Sequence, residues 1–123
     1  MTLPSWMRGA LFAAAAMNVL GAVAFAPPAG ALRALVGMPE TGHPLYLAMV
    51  SMFVLLFGIG YLWAALSGHV DRLFITIAAV GKLSFFTLLV CFWAAAALPA
   101  RTVLTGTGDL FFGLLFLTWL FAA

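Results

Sequence analysis

The sequence predicts an all-α integral membrane protein, a bundle of four transmembrane helices with up-down-up-down topology. Three observations predict it. Hydrophobic residues make up 67% of the 123 residues, charged residues make up only 7%, and four long apolar stretches are separated by short breaks. Soluble domains carry about a quarter charged residues, and a chain of this length has too little interior to bury so much apolar surface. Lipid is therefore the expected solvent, and residues 1–123 are expected to form a single transmembrane domain.

Each predicted span contains about 20 mainly apolar residues, which is the length that a helix needs to cross the bilayer core. The spans cover residues 6–26, 44–66, 73–97 and 102–122. Pro27 and Pro28 end the first span, because proline lacks the amide donor and clashes with the preceding helical turn. Residues 67–72 and 98–101 form the two short connections, so spans two, three and four are expected to run antiparallel in succession.

The long connection, residues 27–43, joins spans one and two. Leu32, Leu35 and Val36 surround a single Arg33 there. This composition is typical of one or two helical turns lying in the membrane interface, and a plain loop is the alternative. A short interfacial helix is therefore a possible addition to the four spans.

The first span also has features of a secretory signal peptide. Arg8 precedes an apolar stretch that ends in Ala24-Phe25-Ala26, a pattern similar to a cleavage site. Pro27 would directly follow the cut, where proline is disfavoured. We expect the segment to be retained as the first transmembrane helix.

The basic residues are few and scattered, and the net charge is only +2. No cluster could neutralise several phosphates, which argues against binding of nucleic acid. With four spans both termini lie on one side of the membrane, together with Arg8 and Arg72. Arg33 and Arg101 lie on the other side, so the arginines alone predict no orientation. If Lys82 extends toward the terminal side, the count predicts a multi-pass cell-membrane protein with both termini in the cytoplasm.

Lys82 is the residue whose position in the membrane costs the most free energy, because it interrupts the apolar third span. At about 1.5 Å rise per residue it lies about 15 Å in from Arg72, close to the bilayer centre. Asn18 lies at nearly the same depth, and Tyr61 lies within reach of a lysine side chain that bends outward. A second group of polar residues lies nearer the opposite side: Ser51, Thr105 and Asp109.

Asp109 is the natural partner for Lys82, and three arrangements remain open. Spans three and four are antiparallel neighbours, so the two side chains can form a direct or water-bridged ion pair. Alternatively, Lys82 extends to the terminal side while Asp109 is protonated or bonds to nearby hydroxyls. In the third arrangement one of the two contacts a separate protein or a ligand.

The aromatic residues of spans three and four have two interpretations. They could line a slot for a quinone, a pigment or a lipid tail, or they could face the surrounding lipid. The residues in question are Phe85, Phe86, Phe112 and Phe116. No cofactor is predicted outright, and quinone, pigment and bound lipid are the candidates.

Residues suited to metal binding or catalysis do not converge anywhere. His43 and His69 lie at opposite ends of span two, about 39 Å apart, so one metal ion or haem cannot use both. Cys91 lies in apolar surroundings that favour an inert, neutral thiol. No catalytic residue and no metal site are predicted, so an enzyme is not the expected class.

Three stretches of the second half have a familiar layout: FGIGYLWAA, then GKLSFF after a short charged turn, then GDLFFGLLFLTWL. This layout resembles small four-span bacterial membrane proteins, including DoxX-like ones, over residues 55–120. The resemblance implies a bacterial inner membrane location. Some DoxX-like members are linked to quinone-dependent oxidation, which implies a quinone-adjacent or accessory subunit. No catalytic residue is carried over, because the cysteine pairs needed for thiol redox chemistry are missing.

The leading functional hypothesis is a non-enzymatic membrane subunit or scaffold, because almost no chain lies outside the spans to hold a soluble active site. Its expected partners are the lipid bilayer and either further copies of itself or a larger membrane complex. The first alternative is a small proton-coupled transporter in which Lys82 and Asp109 change partners. The second is a membrane protein that binds a quinone, a pigment or a lipid.

Overall fold

The structure, a computed structural model, describes residues 3–39 and 42–122. Within these residues four helical stretches are long and apolar enough to cross a membrane, and the predicted four-helix fold class is confirmed. The elements in chain order are α1 (Ser5–Phe25), a 3₁₀ turn (Pro27–Ala29), α2 (Gly30–Leu35), α3 (Pro44–Ser67), α4 (Arg72–Ala94), α5 (Ala100–Leu104) and α6 (Thr107–Ala122). The fourth span consists of α5 and α6 together.

The starts of α3 and α4 have side-chain caps. The Leu45 backbone N–H donates to the His43 ring nitrogen at 3.1 Å, and the Leu73 N–H donates to the Asp71 carboxylate at 2.8 Å. These bonds satisfy amides that have no partner inside the helix. At its other end α3 stops at Gly68, which adopts a left-handed φ of 74° that glycine tolerates without strain.

The end of the third span differs from the prediction. The third span was expected to reach residue 97, but α4 ends at Ala94. The chain then closes the helix with bonds from the Ala97 N–H to the Phe92 carbonyl and from the Ala96 N–H to the Trp93 carbonyl. This is the Schellman pattern of a helix end, and it satisfies carbonyls that would otherwise lack partners.

The fourth span is interrupted, whereas the sequence predicted one helix over 102–122. At Thr105 and Gly106 the backbone N–H groups bond to carbonyls three residues back, Thr102 and Val103, and this tightens the last turn of α5. A Cβ on Gly106 would lie 2.7 Å from a methyl carbon of Leu89 on α4, so the glycine permits close contact there. The interruption places Asp109 in the first turn of α6.

The long connection contains the short helix that the sequence suggested, α2, although residues 40 and 41 of that segment lie outside the described residues. Its arginine does not extend to an interface. Arg33 is only 3% exposed and donates hydrogen bonds to the carbonyls of Ala24, Ala26 and Pro27 at the end of α1. These carbonyls lie in the last turn of α1 and just beyond it, and they lack partners inside that helix, which explains why a cation binds there.

The helices form two antiparallel pairs, with α1 along α3 and α4 along α6, and α1 also contacts α6. The core lies toward the end of the bundle that carries both termini. Its fully buried members are Met7, Leu11, Ala14, Tyr61, Ala65, Ile75, Ala79 and Phe116. The alanines allow the helix backbones to approach closely, as small residues do in membrane bundles. In the other half of the bundle, a cavity lies between the two helix pairs.

Arg72, at the start of α4, links this helix to the end of α6 near the core. Its guanidinium donates a 2.8 Å hydrogen bond to the Leu120 carbonyl near the end of α6 and lies 5.8 Å from the Trp119 ring. We expect Arg72→Gln to lower the free energy of unfolding by about 1 kcal/mol, because it removes a charged donor from a helix C-terminus. Unfolding in mixed detergent micelles measures this. Arg8→Gln is the control, since the Arg8 contact to the Leu66 carbonyl is exposed and 3.5 Å long; equal losses would contradict the expectation.

Candidate functional site

A cavity of about 540 Å³ lies between the two helix pairs and is lined by all four spans and the α2 segment. Its walls are mostly apolar, with Met17, Phe25, Phe53, Phe57 and Phe85 among the larger side chains. Six polar or charged side chains also reach it: Asn18, Arg33, Tyr61, Lys82, Thr105 and Asp109. An apolar cavity of this size with a few convergent polar groups is typical of a small-molecule site.

Lys82 and Asp109 form a direct ion pair at the edge of this cavity. The Lys82 Nζ lies 3.1 Å from the Asp109 Oδ1, and the two side chains are only 5% and 20% exposed. Of the three arrangements open from the sequence, the structure therefore has the direct pair. The pair forms because α4 and α6 pack along each other and because Gly113, where a Cβ would lie 2.9 Å from Leu83, lets α6 approach α4 beside the lysine.

Asn18 is the third member of the group and comes from the other helix pair. Lys82 Nζ donates to the Asn18 Oδ1 at 3.2 Å, and the Asn18 Nδ2 donates to the Val54 carbonyl at 2.9 Å. Gly58 on α3 leaves room for the Asn18 side chain, since a Cβ on residue 58 would lie 3.0 Å from the Asn18 Cβ. A hydrogen-bonded chain therefore crosses the bundle from α3 through α1 and α4 to α6.

Two aromatic rings complete the surroundings of the ammonium group. The Lys82 Nζ lies 5.2 Å from the centre of the Tyr61 ring and 5.9 Å from that of Phe112, distances at which a cation is attracted to the ring face. Tyr61 is 1% exposed and lines the cavity. None of the hydrogen bonds among the described residues involves its hydroxyl. That hydroxyl is therefore without a hydrogen bond among the described residues, and its ring faces the ammonium group of the ion pair.

Ser51 and Thr105, predicted as supporting polar residues, bond elsewhere. The Ser51 hydroxyl donates to the Ala22 carbonyl on α1 at 2.6 Å, and it links α3 to α1. The Thr105 hydroxyl donates to the Thr102 carbonyl at 2.6 Å within its own turn. Thr105 lines the cavity, but among the described residues neither Ser51 nor Thr105 has a hydrogen bond to Lys82 or Asp109.

The four phenylalanines proposed as a ligand slot are placed in different surroundings. Phe85 lines the cavity, and Phe112 lies near Lys82. Phe116 is fully buried in the core against Tyr61, and Phe86 lies beside the Gly106 turn. The other aromatic residues of the cavity wall come from α1 and α3: Phe25, Phe53 and Phe57. The sequence marked these only as apolar residues of a span.

The cavity reaches the outer surface between α3 and α4. Val50 and Phe53 on α3 and Gly81 on α4 line the cavity and are also exposed. Nearer the connecting turn the gap is closed by the stacked rings of Phe57 and Phe74, whose centres are 5.7 Å apart. Both helices are long and apolar enough to cross a membrane, and the cavity lining is also exposed at Leu20, Leu32 and Thr105.

Arg33 is a charged residue of the cavity that the sequence did not predict there. With Val36 and Met38 it lines the end of the cavity away from the core. Thr102 anchors this segment by donating a 2.8 Å hydrogen bond to the Val36 carbonyl. The signal that could have identified Arg33 is its position just after Pro27 and Pro28, where a helix end leaves carbonyls without partners.

Metal chemistry has no support in the described residues. Within 3–39 and 42–122, no three histidine, cysteine, aspartate or glutamate side chains lie close enough to hold one ion. Cys91 is a free, exposed thiol on α4. The arrangement of Lys82, Asp109, Asn18 and Tyr61 can bind and orient a polar group, since it combines donors and an acceptor in apolar surroundings.

No family model, curated protein or solved structure matches this chain.

Proposed function

We propose that this protein is a multi-pass membrane protein that binds one hydrophobic small molecule with a polar end group. The single observation that carries the proposal is the cavity of about 540 Å³, with apolar walls and a buried polar group at its edge. The ligand's apolar part would contact Phe25, Phe53 and Phe85, and its polar end would meet Lys82 and Tyr61. A quinone, a pigment and a membrane lipid all have this general form.

The opening between α3 and α4 supports a ligand that is dissolved in the membrane. Such a molecule reaches Val50 and Phe53 without crossing water, and its apolar part can remain partly in the bilayer. Gly81 lies at this opening, and a Cβ there would have no neighbour within 4 Å. This space is available to a ligand.

The proposal predicts that a large side chain at position 81 displaces the ligand. Gly81→Phe should fold, because its ring enters open space, and it should lose the molecule that copurifies with the wild type. Val80→Phe is the matched control, since Val80 is 57% exposed and does not line the cavity. Native mass spectrometry after mild detergent extraction measures the bound mass. A wild type without any bound amphiphile, or a Gly81→Phe variant that keeps it, would contradict the proposal.

The two other functions predicted from the sequence use different features. A proton-coupled transporter would require Lys82 and Asp109 to separate and change partners during its cycle. A non-enzymatic subunit or scaffold would require a partner chain or further copies of this one. Both stay predictions, and the same native spectra bear on the second, because a bound protein or an oligomer would be visible as added mass.

The cellular location and the DoxX-like resemblance are also proposals. The resemblance favours a bacterial inner membrane protein. The arginines are balanced at two on each side, and only Lys82, counted on the terminal side, favours cytoplasmic termini. In the structure Lys82 bonds to Asn18 and Asp109 instead of extending outward. Its charge therefore gives less support to cytoplasmic termini.

A further inference from the structure

The groups around Lys82 restrict the chemistry of the ligand's polar end. We infer that this end is uncharged and carries a hydroxyl, so that the ligand belongs to the neutral hydroxyl lipids. The inference rests on the proposed function and adds the headgroup class to it.

Charge balance is the first step. The Lys82 ammonium and the Asp109 carboxylate neutralise each other at 3.1 Å, and both are largely buried. Arg33, the other cation at the cavity, lies at its far end and binds three backbone carbonyls. A charged headgroup beside Lys82 would therefore bring an uncompensated charge into a desolvated place, which is strongly unfavourable. An uncharged headgroup avoids this cost.

The unused hydrogen-bonding groups are the second step. Lys82 has three N–H donors, and Asn18 and Asp109 accept two of them. Asp109 accepts through Oδ1, and no bond among the described residues reaches its Oδ2. The Tyr61 hydroxyl is free as well. The site thus offers donors and a strong acceptor side by side, and a hydroxyl is the small neutral group that satisfies both.

The depth of the site is the third step. Lys82 lies near the bilayer centre, about 15 Å from Arg72 along α4. Phosphate and ammonium headgroups stay at the membrane surface because transfer to the hydrocarbon core is costly. A single hydroxyl can enter that region at much lower cost. Membrane depth and site charge therefore favour the same class of ligand.

The inference is tested with amphiphiles that share one alkyl chain and differ only in the end group. Hexadecanol, hexadecyl methyl ether, hexadecyl phosphate and hexadecyltrimethylammonium are added at neutral pH to delipidated protein in nonionic micelles. Binding is followed by native mass spectrometry and by quenching of intrinsic tryptophan and tyrosine fluorescence. We expect the affinity for hexadecanol to be at least about tenfold higher than that for either charged probe. The ether, which accepts but cannot donate, should be intermediate.

Two variants identify the groups that recognise the hydroxyl. Tyr61→Phe keeps the ring that faces Lys82 and removes the free hydroxyl, so hexadecanol should bind roughly two- to tenfold more weakly. Asp109→Asn leaves the charge of Lys82 without a counter-ion. The binding preference of this variant among the four probes should therefore shift toward hexadecyl phosphate. If Asp109→Asn does not fold, the wild-type series and Tyr61→Phe still decide the matter.

Each outcome has a definite meaning. Equal binding of hexadecanol and hexadecyl phosphate by the wild type would overturn the inference and leave the proposed function standing. Binding of none of the four probes, together with no copurifying amphiphile, would overturn both. A quinol and a lipid alcohol share the hydroxyl chemistry, and the ultraviolet absorption of the extracted ligand distinguishes them.

Discussion

Replacing Asp109 by leucine is expected to lower the free energy of unfolding by about 3 to 5 kcal/mol. The substitution leaves the Lys82 ammonium buried without its counter-ion, in a side chain that is 5% exposed. Asn18 remains as a neutral acceptor at 3.2 Å, and it cannot balance the charge. The transition can be measured by titrating dodecyl sulfate into mixed micelles and following helix content or tryptophan fluorescence.

The double variant Lys82→Met with Asp109→Leu is the control for this result. It removes both charges together, and methionine approximates the volume of the lysine stem. We expect its stability to lie within about 1 kcal/mol of the wild type or above it, because neither residue then has to lose its hydration. Lys82→Met alone should cost less than Asp109→Leu, since the carboxylate that it leaves unpaired is 20% exposed, against 5% for the Lys82 side chain. An Asp109→Leu variant that unfolds together with the wild type would show that the pair is not desolvated.

Gly58→Val is expected to cost about 2 to 3 kcal/mol and to weaken ligand binding. The new Cβ would lie 3.0 Å from the Asn18 Cβ and 3.5 Å from the Ala15 carbonyl oxygen. Neither atom belongs to a flexible side-chain end, so α1 and α3 must move apart to admit it. This movement also carries Asn18 away from Lys82 and breaks the bonded chain across the bundle.

Gly9→Val on α1 is the matched control, because it introduces the same branched side chain into a helix where nothing lies within 4 Å. Only the change in helix propensity should act there, and valine is no worse than glycine in that respect. We expect a change within about 0.5 kcal/mol. If the two variants lost the same stability in the micelle titration, the close contact between α1 and α3 would not be the cause.

Depth counting along the spans predicted much of the polar site. Lys82 and Asn18 were expected at nearly the same depth, with Tyr61 within reach, and in the structure all three meet. Asp109 was expected close enough for contact because only a short connection joins its span to that of Lys82. Rise per residue determines depth, but rotation about the helix axis depends on packing. The choice between an ion pair and an outward lysine therefore needed the structure.

The remaining features depend on contacts that single-sequence patterns do not contain. Phe85 and Phe86 are adjacent and point about 100° apart on the helix, and packing decides that Phe85 lines the cavity while Phe86 lies beside Gly106. Arg33 donates to three backbone carbonyls, and in the sequence only Pro27 and Pro28 indicate where such carbonyls lie. The interruption at Thr105 and Gly106 did have a signal, since residues 105–108 read Thr-Gly-Thr-Gly and glycine weakens a helix interior.

The short connection between α4 and α5 has a consequence for membrane insertion. Lys82 and Asp109 lie on consecutive spans, and each would oppose transfer of its own span into lipid by about 2.5 to 3.5 kcal/mol at the centre of the bilayer. The connection lets these two spans meet as a hairpin, in which the charges are 3.1 Å apart and cancel. The two spans can therefore enter the bilayer together with their interior charges paired, at a lower cost than if each span entered alone.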